Sequence, residues 1–72
     1  MLANVMAVAN KRANELGVDL LNSLITMTQY LQDRAILWRI NYGPKDYINQ
    51  RGGDLIIDVD AVGQIERVLR GQ

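Results

Sequence analysis

An apolar series runs from Leu20 to Tyr42 and limits what this chain can become. Leu20, Leu24, Met27, Leu31, Ala35, Trp38 and Tyr42 recur at spacings of 4, 3, 4, 4, 3 and 4 residues. That is close to the seam of a heptad repeat. A second series, Leu21, Ile25, Thr28, Ile36 and Ile40, widens the stripe, while Asn22, Gln29, Gln32, Asp33 and Arg39 lie opposite. Asp19 stands where an N-cap acceptor belongs. The Asn-Tyr-Gly-Pro run at 41–44 supplies a stop, because Pro44 cannot continue a helix. The spacing therefore predicts a helix over about 20–42. Such a rod would be about 35 Å long, longer than a small globule can cover.

The same residues permit a second reading. Ile36, Trp38, Ile40 and Tyr42 alternate with Leu37, Arg39 and Asn41, and β-branched and aromatic residues at period two fit a strand. The Gly-Pro stop and the helix-forming lead-in at Gln32–Ala35 favour the continuous helix.

Upstream, Leu2, Val5, Met6, Ala9, Ala13 and Leu16 form a stripe at helical spacing, predicting a helix over about 2–16 closed by Gly17. Alanines at 3, 7, 9 and 13 would let another helix approach closely. Downstream, residues 43–54 hold most of the chain-breaking residues; Tyr47 and Ile48 could anchor one helical turn, and Gly52-Gly53 marks a turn. Leu55–Val59 is a short apolar run and the best strand candidate. Asp60 could then cap a helix over about 61–70 with Ala61, Val62, Ile65, Val68 and Leu69 inward and Gly71 at its end. Gly63 would cost that helix about 1 kcal/mol relative to alanine. The expected fold class is mainly α: two N-terminal helices (2–16 and 20–42), a loop with a strand at 55–59, and a helix at 61–70. The alternative is α+β, with a small hairpin pairing 36–42 and 55–59. Either way, 72 residues make a single small domain, 1–72.

Chemistry is restricted by what is missing. The chain has no cysteine and no histidine. That excludes thiol chemistry and removes both the usual base near neutral pH and the commonest zinc ligands. Ser23 is the only serine and has no activating partner. Asp58-Val-Asp60-Ala-Val-Gly63 imitates the start of an EF-hand loop. However, the fifth position would be Val62 and the twelfth Leu69, where oxygen ligands are required. The expectation is no enzyme, no cofactor and no metal. No window of 18 consecutive apolar residues suggests a membrane span.

Net charge is zero. Six basic and four acidic residues in 1–51 give +2, and two basic and four acidic residues in 52–72 give −2. Lys11, Arg12, Arg34, Arg39, Lys45 and Arg51 could form a nucleic-acid contact if folding gathered them. The leading expectation is a non-enzymatic structural or adaptor protein that self-associates or docks into a larger assembly. Its interface would be the helical face bearing Leu24, Met27, Leu31, Ala35, Trp38 and Tyr42, since buried rings make efficient anchors. A small nucleic-acid-binding or regulatory dimer is the alternative. The expected setting is the cytoplasm, or a particle assembled there.

Overall fold

The structure, a computed structural model, describes residues 2–44 and 54–70. One helix, α1 (Leu2–Glu15), precedes a 3-10 turn at Leu20–Asn22 and four strands: β1 (Ser23–Gln32), β2 (Ala35–Pro44), β3 (Leu55–Asp60) and β4 (Ile65–Arg70). The strands form one antiparallel sheet in the order β1-β2-β3-β4. The mainly α, helical expectation is therefore wrong. Residues 20–42 are a turn and a long hairpin, and 61–70 are a loop and a strand rather than a helix. Residues 37–42 do pair with 55–60, but as the centre of a four-stranded sheet.

The helical spacing misled for a geometric reason. Each β1 residue pairs with the β2 residue whose number completes 67, as in Ile25 with Tyr42 and Met27 with Ile40. Directly opposed residues share a face. The inward positions are therefore odd in β1 and even in β2. The apparent heptad mixes the two faces of the hairpin: Leu24 and Ala35 have the outward parity and Met27, Leu31, Trp38 and Tyr42 the inward one, so apolar residues on both faces together imitate spacings of three and four. The turn was also hard to see. Asp33 and Arg34 have φ of 52° and 68°, a type I′ geometry that normally takes Asn-Gly.

One face of the sheet carries α1. Val5, Ala9 and Ala13 are buried against Ile40, Tyr42, Leu55, Ile57 and Val59. The small helix residues admit a sheet, not a second helix. Tyr42 is held by its hydroxyl, which donates to Asn10 Oδ1 at 2.7 Å, and burial pushes its phenol up to about 12. Gly17 closes α1 with φ of 93°. Val18 N–H donates to the Ala13 carbonyl at 3.0 Å and Gly17 N–H to Asn14 at 3.1 Å, which is the paired bonding of a Schellman motif. Arg70 from β4 donates to the Leu16 carbonyl at 3.0 Å, adding a cation at the negative end of the helix.

Both proposed caps serve turns instead. The Asp19 carboxylate accepts from the Asn22 side chain at 2.6 Å and makes no side-chain cap. Asp60 Oδ1 accepts the N–H groups of Val62 at 3.0 Å and Gln64 at 2.8 Å, bracing the β3–β4 loop. In that loop Gly63 has φ of 90°, and a Cβ there would lie 2.9 Å from Asn4 Nδ2. The sign of Gly63→Ala is thus reversed from that of a helical site. Urea denaturation should show a loss of about 1–2 kcal/mol, mostly from the positive φ, where a helix would gain stability.

Candidate functional site

The face of the sheet away from α1 carries the chain's most organised polar group. Period two in Leu55–Asp60 sends Leu55, Ile57 and Val59 to the helix side and Ile56, Asp58 and Asp60 to the other. Register places Thr28, Arg39, Asp58 and Arg67 in one row across the four strands. Asp58 is 0% exposed. Arg39 grips it with both arms of its fork, Nε to Oδ1 at 2.9 Å and Nη2 to Oδ2 at 3.0 Å. Arg67 Nε lies 3.3 Å from Oδ2, and the Tyr30 hydroxyl donates to Oδ2 at 3.0 Å. Arg67 Nη2 also donates to Gln32 Oε1 at 2.9 Å. The Arg39 guanidinium sits 5.0 Å from the Tyr30 ring centroid, within cation–π range.

Two cations and one anion leave this group with a net charge of +1. Burial alone would push the Asp58 carboxyl up. Hydrogen bonds from Arg39 and Tyr30, with the charges of Arg39 and Arg67, outweigh it and hold the group below the usual carboxylate range. Asp58 is therefore ionised and fully engaged near neutral pH. It has no proton to give, and its partners leave it a poor base. Among the described residues, every buried side-chain polar atom is bonded. The arrangement is suited to locking strands together and holding two guanidinium groups at a surface. Beside it, Leu37 is buried under a groove of about 310 Å³, also lined by Gln32, Asp33, Ala35, Asp60, Glu66 and Arg67.

The six residues assigned to one helical interface are divided by the sheet. Tyr42 is buried beneath α1, and Met27 and Trp38 pack partly buried against the same core. Leu24, Leu31 and Ala35 are exposed on β1 and at the start of β2. The basic residues do not form one patch among those described. Lys11 and Arg12 are on α1, where Arg12 pairs with Glu15 at 3.3 Å; Arg34 is in the β1–β2 turn, and Arg39 is bound to Asp58 on the opposite face. Lys45, Tyr47, Ile48, Arg51, Gly52, Gly53 and Gly71 lie outside the described residues. The EF-hand-like segment spans β3, a hairpin loop and β4. Among the described residues no group of three or more acids could hold a metal ion, and no helix is long and apolar enough to cross a membrane.

Sequence reasoning missed the set Tyr30, Asp58 and Arg67. A usable signal existed: a lone acid inside the apolar run Leu55–Val59, with an arginine nine positions later, at hairpin distance. No family model, curated protein or solved structure matches this chain.

Proposed function

We propose that this chain is a non-enzymatic structural or adaptor subunit that self-associates or docks into a larger assembly, working from the β1 side of its sheet. The reading places it in the cytoplasm or in a particle assembled there. The carrying observation is the border strand β1, ten residues without charge, glycine or proline and, among the described residues, with no strand outside it. Leu21, Leu24 and Leu31 are 84%, 56% and 72% exposed, and all three lie on β1 or just before it. Ile65, Val68 and Leu69 on β4 are also exposed, at 36–40%, but stand among Glu66, Arg67 and Arg70, whereas a long border strand without charge is a ready template for another strand. The engaged state of Asp58 also argues for a binding role over a catalytic one. Light scattering at micromolar to tens-of-micromolar concentration tests self-association. The expected mass is above the 8.1 kDa of one chain, with a melting temperature that rises with concentration. A monomer whose melting is independent of concentration would overturn it.

A further inference from the structure

The two borders of the sheet differ. β4 is six residues long, carries Glu66, Arg67 and Arg70, and is bulged between Asp58 and Val59 of its neighbour. Charges, shortness and bulges are how proteins keep sheet borders from pairing. β1 has none of them. Its ten residues, Ser-Leu-Ile-Thr-Met-Thr-Gln-Tyr-Leu-Gln, contain no charge, glycine or proline, and they pair with β2 without a register break. Among the described residues, no strand lies on its outer side.

Turn geometry says which backbone groups are free. A two-residue turn closed at Gln32 and Ala35 makes that closing pair hydrogen-bonded, and bonded pairs then alternate. Even-numbered residues of β1 thus bond to β2. Ser23, Ile25, Met27, Gln29 and Leu31 direct N–H and C=O outward.

We infer that the occupant of this border is a second copy of β1, running antiparallel about a two-fold axis at Met27 and joining two sheets into one of eight strands. This rests on the self-association reading above and gives it a geometry. A strand without charge brings no like-charge repulsion to its own copy. An antiparallel two-fold pair requires the axis to stand perpendicular to the sheet, so both α1 helices lie on the same face. With Met27 on the axis, Ile25 opposes Gln29 and Ser23 opposes Leu31 of the second copy, all through outward-directed backbone. On the helix-free face Thr26 opposes Thr28, and Leu24 opposes Tyr30. The exposed Leu24 thereby gains an aromatic neighbour, a favourable cross-strand pairing, as is threonine with threonine.

Charge patterning provides the test. Thr26 and Thr28 are exposed and lie outside the apolar core; because Thr28 stands across from Arg39, circular dichroism and urea denaturation verify the fold and stability of each variant, and T28K and T28E alone serve as controls. T26K/T28K sets lysine against lysine at two symmetric places and should weaken dimerisation about tenfold or more. T26K/T28E sets lysine against glutamate and should keep the dimer mass, twice 8.1 kDa, with a dissociation constant that increases with salt. An axis at Thr28 would instead set glutamate against glutamate, so a monomeric T26K/T28E overturns the Met27 pairing. A parent dimer that T26K/T28K leaves intact overturns the β1 contact while self-association stands. A monomeric parent overturns both.

Discussion

Alanine at Ile57 is expected to remove about 3 kcal/mol of stability, within the range of about 2–5 kcal/mol for buried isoleucine. Ile57 is 0% exposed and lies on a central strand beneath α1, between Ile40 and Val68. No polar atom and no charge is involved, so the loss is that of transfer plus the cavity left behind. The total available to a chain of this size is about 4–11 kcal/mol, and each kilocalorie moves the melting point by about 4–8 °C. Thermal melts should therefore show a drop of about 12–24 °C. Val62→Ala, at an exposed site in the β3–β4 loop, should stay within about 0.5 kcal/mol of the parent. Equal effects at the two positions would contradict the packing described here.

Asp58→Ala should cost about 2–3 kcal/mol. The carboxylate accepts from Arg39 and Tyr30 and faces Arg67, and hydrogen bonds to a charged group contribute about 1.5–3 kcal/mol. Removing a buried partner usually costs more. Here the two guanidinium groups are over a third exposed and can turn to water, which brings the value down. The same residue sets the acid limit. Its carboxyl is held below its ordinary value in the folded state. The unfolded chain therefore binds the proton first, and stability falls with pH in that region. The Asp58 contribution is complete above the unfolded value of about 3.9 and disappears as pH drops through the folded one. Denaturation curves across pH 2–6 should show the parent losing stability steeply on the acid side and Asp58→Ala losing less. Parallel acid limbs would mean that Asp58 is not ionised in its pocket.

Two elements are legible from local signals alone. The α1 stripe and its Gly17 terminus were visible because helical spacing and a left-handed closing residue point the same way. The run at 55–59 was visible as a strand because its residues are apolar and β-branched and lie between turns. The long hairpin was not, because Asp33 and Arg34 do not announce a type I′ turn and apolar residues on both of its faces together copy a heptad. The β4 segment was hidden differently. Its bulge inserts a residue between Ile65 and Arg67, which breaks period two and lets Ile65, Val68 and Leu69 mimic one side of a helix. The polar row at Arg39, Asp58 and Arg67 depends on pairing between strands, so it could not be read until register was known.

The bulged outer strand also determines how far such a chain can grow. Material that offers two receptive rims polymerises without limit, as fibrils do. Here one rim is barred by its kink and its charged residues Glu66, Arg67 and Arg70, so the proposed union through the other would consume the last receptive rim on both molecules. On the proposed pairing, growth would stop after one step, and the product would be a finite particle instead of a fibre.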